Sequence, residues 1–256
     1  VADKIVYVSA AGNDGIEYYE ADFLESGFGL HTFDLTSGDL DLGILLSAGD
    51  KLVVVLQWND PWGASDNDYD LLLFEEKSDF LVAEALDLQT GTHNPLEVLV
   101  YENSSPVPKI FDLVITKLPG AENRRLKLLV NGTKVSPKLE RFSPGSIYGH
   151  PAVESAIAVG AVNQASPSSV VDYSSRGPAR IDFPFRENRA KPDITATTGV
   201  ACTGAGGFRC PFNGTSAAAP HIAGIAALLL ESKTSATPSQ IKTALMDSAV
   251  DLGSPG

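Results

Sequence analysis

Positive charge, cysteine, histidine and long apolar runs are all scarce in this sequence of 256 residues. Lysines and arginines number 19 against 32 aspartates and glutamates, and the formal net charge of −13 excludes a partner bound through nucleic-acid phosphates. No run reaches the roughly 18 consecutive apolar residues that a transmembrane helix needs, so we expect no membrane span. At 43% apolar residues, the chain can still form the cores of one large or two smaller soluble domains.

The two cysteines, Cys202 and Cys210, are separated by seven residues rich in turn formers. Their spacing does not fit a zinc site, and no histidine pair accompanies them. In an oxidising compartment such a pair closes a local disulfide, whereas in a reducing one it stays as two thiols. We expect the disulfide if the compartment is oxidising.

The chain changes character twice along its length. Residues 1–15 read as a buried parallel strand that runs into a Gly-Asn-Asp-Gly turn. From 22 to 142, short alternating apolar runs between turn residues predict only strands, with the number and spacing of a jelly-roll-like β-sandwich. Buried strands and helices return from 143 onward. We therefore predict an α/β domain with a parallel sheet, built from residues 1–21 and 143–256 and interrupted by an all-β insert, 22–142.

Two helices are predicted in the last part of the chain. Pro238–Ala249 has apolar positions at helical spacing, with Thr237 as its cap. The small and apolar run that follows Ser216 reads as a buried helix, with Pro220 tolerated in its first turns. A serine at the N-terminus of a helix lies near free N–H groups, which would stabilise an oxyanion.

The start of that buried helix carries a specific motif, Gly-Thr-Ser-x-Ala-x-Pro-His-x-Ala-Gly over residues 214–224, with eight fixed positions. On these residues the chain resembles the subtilisin-like serine peptidases at their nucleophile motif. The resemblance implies that Ser216 attacks a peptide carbonyl and that its own N–H helps to hold the oxyanion. The structural alternative is a plain buried helix with a serine cap.

Further segments resemble the same family and occur in its order. Ser9-Ala-Ala-Gly-Asn-Asp-Gly15 is similar to the segment that carries the oxyanion-hole asparagine, which implies this role for Asn13. By the same resemblance, Ala10, Ala11 and Gly12 line one wall of the P1 pocket. Taken alone, Gly-Asn-Asp-Gly is a turn. The other matching segments are Ala156–Val162, Tyr173–Pro178 and Lys191–Ile194. Ala196-Thr-Thr-Gly199 departs from the family's more frequent Ala-Pro-Gly, and we place no function there.

The catalytic base that the family needs is not evident among the four histidines. His221 lies about 7.5 Å along the helix from Ser216 and about 140° around it, so it reads as a helix-packing residue. His150 reads as structural, and His31 and His93 fall in the insert. The family carries its Asp-x-Gly and His-Gly-Thr-His segments before the oxyanion segment, and neither precedes Asn13 here. We expect a fragment of a longer chain whose missing N-terminal part, with its own sheet strands, supplies both residues. The apolar run directly after Val1 and the loop-like Asp251–Gly256 also led us to expect a piece cut at both ends.

The acidic stretch of the insert, residues 58–70, is a candidate cation site. Asp66, Asp68 and Asp70 alternate, so in a strand they would share one face and repel unless hydrated or bridged by a hard cation such as Ca²⁺. An ordinary acidic loop is the alternative. The surrounding Trp-x-Asp-Pro and Asn-Asp-x-Asp-Leu pattern also resembles β-sandwich modules of bacterial secreted subtilases. The chemistry of the family needs no cofactor, so a Ca²⁺ ion would be structural.

We therefore expect the serine half of a secreted serine endopeptidase, inactive alone, which acts on proteins or peptides. The insert would restrict access to the cleft or bind a partner. One rival is a degenerate, non-catalytic subtilase whose β-sandwich is a binding or scaffold module. Another is an α/β-hydrolase esterase, which Gly-Thr-Ser-Ala-Ala does not fit because that fold needs Gly-x-Ser-x-Gly.

Overall fold

The computed structural model describes residues 5–78, 80–132, 144–207 and 210–253. The chain forms two compact units, one of residues 1–16 with 144–256 and one of residues 17–143. The described strands are β1 (Val8–Ala10), β2 (Tyr18–Asp22), β3 (Leu42–Leu46), β4 (Lys51–Trp58), β5 (Tyr69–Glu75), β6 (Phe80–Ala85), β7 (Leu96–Glu102), β8 (Lys109–Lys117), β9 (Arg125–Asn131), β10 (Ile157–Asn163), β11 (Ser166–Val170), β12 (Ala179–Ile181), β13 (Glu187–Arg189) and β14 (Ile194–Thr198). The α-helices are α1 (Thr215–Ser232) and α2 (Pro238–Ser248). The described structure is thus mostly β.

The second unit begins earlier than the predicted insert. We placed its first residue at 22, but β2 pairs with β9 from Tyr18 onward, so the unit starts at Glu17. The alternation of buried and exposed residues that reveals a strand is missing here, because Tyr18, Tyr19 and Glu20 are all buried. Part of the predicted insert, residues 133–142 and Asp79, lies outside the described residues.

Two four-stranded antiparallel sheets make up this unit, in the orders β2-β9-β4-β7 and β3-β8-β5-β6. Strand β4 shows how a strand of these sheets contributes side chains to the shared apolar core. Its residues alternate between exposed or half-buried and buried positions, and Leu52, Val54, Leu56 and Trp58 are each at most 1% exposed. Because alternate side chains point to opposite faces, one face of every such strand contributes to a single apolar core.

The Trp-x-Asp-Pro pattern has a structural role in this unit. Asp60 is buried and accepts hydrogen bonds from Trp58 Nε1 (3.2 Å), Ser65 Oγ (2.9 Å) and Asn67 Nδ2 (2.9 Å). Arg124 Nε lies 2.7 Å from its other oxygen. A buried carboxylate is tolerated when donors and an opposite charge surround it in this way. The pattern therefore fixes a loop against the sheet.

The first unit contains a small sheet covered by both helices. Strands β1 and β14 pair in parallel with β10, and β11 pairs with β10 in antiparallel orientation, while β12 and β13 form a separate ribbon. A shared apolar cluster joins the sheet to the helices, with members Ile157, Val159, Ala161, Ala218, Ala219, Ile222, Ala226, Ile241 and Leu245. Small residues on α1 permit close contact with the strands. The sheet and helices thereby position the N-terminus of α1.

The helix and strand predictions are confirmed in most of these elements. Helix α2 begins after Thr237, whose side chain accepts the Gln240 N–H while the Gln240 side chain accepts the Thr237 N–H. The strand expected from Lys191 begins only at Ile194. Within the described residues, none of the helices combines the length and apolar character needed to cross a bilayer.

Candidate active site

Ser216 is the second residue of α1 and is exposed. The prediction of a buried helix is only partly right, because the helix buries Thr215, Ala217, Ala218, Ala219, Ile222 and Ala226 while most of its other residues are exposed. The N–H groups on either side are paired: Thr215 N–H donates to Asn13 Oδ1 (2.9 Å) and Ala217 N–H to the Gly214 carbonyl (2.9 Å). Neither the N–H nor the hydroxyl of Ser216 has a hydrogen-bond partner within the described residues. Ser216 thus presents a hydroxyl and an available donor together at the positive end of the helix.

The side chain of Asn13 reaches the same helix end. Besides the Thr215 N–H, its Oδ1 lies 3.1 Å from the hydroxyl of Thr215. Two donors at Oδ1 fix the orientation of the amide, and Nδ2 is left without an acceptor among the described residues. The arrangement therefore places two unused N–H donors, one from Asn13 and one from Ser216, at the start of α1.

Main-chain contacts hold the Asn13 loop against the helix. Gly12 N–H donates to Thr215 Oγ1 (3.2 Å), and the Gly12 carbonyl accepts Ser175 N–H (3.0 Å). Gly12 has φ of +111°, and a Cβ at this position would lie 2.6 Å from Ser175 Oγ. Only glycine is compatible with both the backbone conformation and this close approach. The Tyr173–Pro178 segment therefore positions the Asn13 loop.

A second set of contacts fixes the residue before the helix. Gly214 N–H donates to Thr198 Oγ1 (2.8 Å) and lies 3.2 Å from Tyr173 Oη, and these two oxygens are 3.0 Å apart. Thr198 belongs to Ala196–Gly199, where we placed no function. We did not predict this contact for Thr198, because its segment departs from the family pattern. The local indication was the hydroxyl side chain directly before Gly199.

The three residues expected to line the P1 pocket have different environments. Ala10 and Gly12 are half-buried, whereas Ala11 is 2% exposed and packs against Ile147, Ala152 and Ala179. The side chain of Ala11 therefore faces a local core, and any contribution it makes to a pocket wall comes from its backbone. The pocket role of all three stays a prediction.

A carboxylate lies directly beside the candidate oxyanion loop. Asp14 Oδ2 accepts a hydrogen bond from Tyr148 Oη (3.0 Å), and Asp14 N–H donates to Ser175 Oγ (3.1 Å). Burial raises the pKa of Asp14 above its usual value, and the tyrosine hydrogen bond partly opposes this shift. Asp14 therefore binds a proton more readily than a free aspartate does.

None of the four histidines hydrogen-bonds to Ser216 in the described structure. His221 Nδ1 lies 2.8 Å from the carbonyl of Ala217 in its own helix, as expected for a helix residue. His150 stands edge-on to the ring of Tyr7, with 6.2 Å between ring centroids. His31 and His93 belong to the other unit. That the catalytic base comes from a segment outside this sequence stays a prediction.

The cysteine pair lies near the loop that leads into α1. Cys202 N–H lies 3.3 Å from Cys210 Sγ, so the two residues are neighbours. The structure contains them as thiols. The disulfide stays a prediction for an oxidising compartment.

The three candidate calcium ligands do not share a strand face as expected. Strand β5 begins at Tyr69, so Asp66 and Asp68 precede it and only Asp70 lies within it. Asp66 is exposed, whereas Asp68 is 5% exposed. No set of three His, Cys, Asp or Glu side chains in the described ranges is arranged as a metal-ligand group. The strand argument for these three residues was wrong because Asp66 and Asp68 lie before the strand begins and the three side chains differ in burial.

Comparison with known proteins agrees with this geometry. The sequence model of the subtilase family, peptidase family S8, matches residues 131–256, which contain Ser216, Thr198 and Tyr173 but not Asn13. This part of the chain is therefore similar to the subtilase family. The subtilisin-like protease SBT2.5 of Arabidopsis thaliana is 33% identical over 173 residues, which cover 58% of this chain and 20% of the relative. Subtilisin of Bacillus pumilus is 37% identical over 111 residues, which cover 43% and 35% of the two chains.

The fold has a counterpart among solved structures. The CspB protease of Clostridium perfringens superposes with a TM-score of 0.53 at 16% identity, and the match covers 96% of this chain and 53% of that one. At this identity the likeness concerns the fold alone. The chain spans only 20% to 35% of the length of the two curated subtilases.

Proposed function

We propose that this chain carries the nucleophile half of a subtilisin-like serine endopeptidase site. Ser216 Oγ attacks the peptide carbonyl and gives its proton to a histidine from a segment outside this chain, which an aspartate orients. The C–N bond then breaks, the histidine protonates the leaving amine, and water hydrolyses the acyl-enzyme on Ser216. Asn13 Nδ2 and Ser216 N–H bind the oxyanion.

The observation that carries this proposal is the pair of unused donors beside the Ser216 hydroxyl. Asn13 and Ser216 are 203 positions apart in sequence, yet Asn13 Oδ1 accepts from the residue adjacent to Ser216. Donors fixed before the reaction stabilise the developing negative charge without reorganisation at the moment of reaction. A serine that merely capped a helix would use its oxygen to accept a backbone N–H, and Ser216 does not.

The outside segment would dock on the first unit. Strand β1 pairs only with β10 among the described residues, so its second edge offers unpaired backbone groups. Helix α1 also exposes apolar side chains, with Ile225 at 46% and Leu228 at 65% exposure. Additional parallel strands beside β1, with the histidine at the end of one element, would cover these groups. The sheet would then be the larger parallel α/β sheet expected for the family.

Three further roles belong to the same proposal. Ala10, Ala11 and Gly12 form a wall of the P1 pocket through their backbone. The strand orders β2-β9-β4-β7 and β3-β8-β5-β6 support a jelly-roll assignment for the second unit, which limits access to the cleft or binds a partner. The enzyme is secreted, and Cys202 and Cys210 form a disulfide there.

Labelling by a fluorophosphonate probe tests the division of the site between two segments. We expect no rapid labelling of the 256-residue chain alone, and stoichiometric labelling of Ser216 with peptide hydrolysis once the upstream segment of the same protein is supplied. The difference in kcat should be on the order of 10⁶, the loss known for subtilisin when its nucleophile or base is removed. Ser216→Ala should abolish labelling, whereas Ser232→Ala, an exposed serine at the end of α1, should leave it unchanged.

Either of two results would contradict the proposal. Rapid labelling of Ser216 in the chain alone would show that no outside base is needed. An upstream segment without the Asp-x-Gly and His-Gly-Thr-His patterns, together with no labelling of the complete protein, would favour the non-catalytic subtilase with a binding module.

A further inference from the structure

Tyr173 contacts both segments that carry the candidate oxyanion donors. Its carbonyl accepts the N–H of Gly15, which follows the Asn13 loop, at 2.9 Å. Its hydroxyl oxygen lies 3.2 Å from the backbone nitrogen of Gly214, which precedes the helix of Ser216. The two segments lie far apart in the sequence, so this one residue connects them, through its main chain on one side and its side chain on the other.

The Tyr173 hydroxyl belongs to a closed set of three polar groups. Gly214 N–H donates to Thr198 Oγ1 at 2.8 Å, and the hydroxyl oxygens of Thr198 and Tyr173 are 3.0 Å apart. Thr198 is 1% exposed, and the Tyr173 ring packs against the apolar cluster that joins the sheet to the helices. The Thr198 carbonyl also accepts Gln164 N–H at 3.2 Å. Buried polar groups that satisfy one another in this way are held in place, since a displacement would leave one of them unpaired.

Gly214 needs such support because its conformation is unusual. Its φ is +112°, which residues with a side chain rarely adopt. At this position most helices have a serine, threonine, aspartate or asparagine, whose side chain accepts an N–H of the first turn. The N-cap position of α1 has no such side-chain hydrogen bond. The Tyr173 and Thr198 hydroxyls hold the residue from outside the helix instead.

The direction of the Ser216 N–H depends on how Gly214 is held. Only Thr215 separates the two residues, and its N–H donates to Asn13 Oδ1 at 2.9 Å. The Gly214 carbonyl accepts Ala217 N–H at 2.9 Å. From Gly214 to Ala217, the Ser216 N–H is therefore the donor left for a ligand within the described residues. A rotation of the backbone at Gly214 would break the Thr215 contact and turn the Ser216 N–H away from Asn13 Nδ2.

We propose that the hydroxyl groups of Tyr173 and Thr198 are positioning groups for the oxyanion site. They act through Gly214 and keep the Ser216 N–H and Asn13 Nδ2 directed at one oxygen atom. This inference rests on the proposed function, because that oxygen belongs to the peptide carbonyl that Ser216 attacks. Donors that are fixed before the reaction stabilise the negative charge on this oxygen without reorganisation.

The sequence around Thr198 shows how large the effect should be. Residues 196–199 read Ala-Thr-Thr-Gly, where the family that the chain resembles more often has Ala-Pro-Gly. A proline directly before the glycine offers no hydroxyl to a neighbouring N–H. The Thr198 hydroxyl is therefore a feature of this sequence and not part of the family motif. We expect its loss to slow the reaction and not to abolish it.

Kinetics of the protein complemented with its upstream segment test the proposal. We expect Tyr173→Phe and Thr198→Val each to lower kcat about tenfold and to change KM by less than about twofold, because a displaced oxyanion donor weakens binding of the transition state. The double variant should be about as slow as the slower single variant, since both changes release the same N–H. Thr198→Ser keeps the hydroxyl and should retain most of the wild-type kcat. Tyr101→Phe in the β-sandwich unit and Thr234→Val after α1 are the matched controls, with unchanged kcat.

Amide exchange measured by NMR tests the contact in the 256-residue chain without its upstream segment. The Gly214 N–H should exchange at least about tenfold faster in Tyr173→Phe and Thr198→Val than in wild type, because its hydrogen bonding is weakened. The N–H of Ala226, in the middle of α1, should keep its exchange rate. Equal acceleration at Gly214 and Ala226 would contradict the proposal and assign the hydroxyls to the stability of the whole unit.

The outcomes separate this inference from the proposed function. A complemented wild type that does not hydrolyse peptides would refute both. With an active wild type, the positioning role alone would be overturned by an unchanged kcat in the two folded variants, by a higher KM at normal kcat, or by unchanged exchange at Gly214. Additive losses in the double variant would also overturn it, since the hydroxyls of Tyr173 and Thr198 would then act separately.

Discussion

The N–H of Thr215 donates to Oδ1 of Asn13 at 2.9 Å, and this contact determines how the candidate oxyanion site is built. A side-chain amide can be turned in two ways, and a donor at its oxygen selects one. Because the N–H and hydroxyl of Thr215 both lie at Oδ1, the NH₂ group of Asn13 remains available for another acceptor. Thr215, the residue before Ser216, thus positions the side chain of Asn13.

Replacing Asn13 should affect the rate of reaction and not the binding of substrate. In the protein complemented with its upstream segment, we expect Asn13→Leu to lower kcat by about 10²–10³-fold with little change in KM, because an oxyanion donor acts mainly in the transition state. Steady-state kinetics with a peptide substrate measures both constants. Thr215→Val, which keeps the N–H but loses the hydroxyl, should lower kcat about tenfold. A higher KM with normal kcat in Asn13→Leu would contradict this prediction and assign Asn13 to substrate binding. Asn188→Leu, on the exposed strand β13, serves as the control.

Gly177 should not tolerate any side chain. A Cβ at this position would lie 1.8 Å from the carbonyl oxygen of Lys191, a backbone atom that cannot rotate away. We expect Gly177→Ala to destabilise the first unit by about 3 kcal/mol or more, since the two segments must separate. Gly224→Ala is the matched control, because a Cβ there meets no atom within 4 Å and alanine favours a helix by about 0.5–1 kcal/mol.

The two units can be followed separately in such unfolding experiments. Both tryptophans, Trp58 and Trp62, lie in the β-sandwich unit, and the two α-helices of the described residues lie in the other unit. Urea unfolding monitored by circular dichroism at 222 nm therefore reports on the helical unit, and tryptophan fluorescence reports on the sandwich. A fluorescence transition shifted by Gly177→Ala, with an unchanged ellipticity transition, would contradict the prediction.

Alternation of apolar residues made the core strands predictable. Residues 51–58 match β4, because each second side chain is apolar and buried. The same rule missed β2, where consecutive residues are buried, and the ribbon of β12 and β13, whose strands have only three residues each. Helix α2 was predictable because its cap residue and apolar spacing are both local features.

The candidate site was predictable only in part. The helix start at Ser216 is a local signal, but its contact with Asn13 joins residues about 200 positions apart, and only the family resemblance brought them together. The acidic stretch, residues 58–70, shows where a local sequence pattern is not sufficient. Its pattern could not tell that Asp60 pairs with Arg124 while Asp68 is buried without an ion pair among the described residues, since both facts depend on partners elsewhere in the chain.

Asp193 should be essential for the stability of the first unit. Its Oδ2 accepts Ala158 N–H and Lys191 Nζ, both at 2.7 Å, and its Oδ1 lies 2.7 Å from Lys242 Nζ. Lys191 is buried, so Asp193→Asn would leave its charge without a counter-ion. We expect a loss of about 3–5 kcal/mol in the ellipticity transition. Asp247→Asn, on the exposed face of α2, is the control. A loss of less than about 1 kcal/mol in the free energy of unfolding for Asp193→Asn would contradict the prediction and show that solvent reaches Lys191.

His31 should make the β-sandwich sensitive to mild acid. The ring is fully buried against Tyr19, Phe23 and Phe33, its Nδ1 accepts Leu24 N–H (3.1 Å), and its Nε2 lies 2.8 Å from Tyr19 Oη. Burial lowers the pKa of His31 from 6.5 to about 4. Between these two pKa values, the unfolded chain therefore binds a proton at His31 and the folded state does not. Its contribution to stability is complete above pH 6.5 and is lost as the pH falls toward 4.

Between pH 7.5 and pH 5, this single residue should remove about 2 kcal/mol from the free energy of unfolding of the sandwich. Urea unfolding by tryptophan fluorescence at the two pH values measures the change. In His31→Leu the pH-dependent loss should shrink by that amount, although the variant is less stable at both pH values because its hydrogen bonds are gone. The carboxylates with raised pKa values act in the opposite direction, but they are common to both proteins and cancel in the comparison. An equal pH dependence in wild type and His31→Leu would show that His31 does not titrate with unfolding.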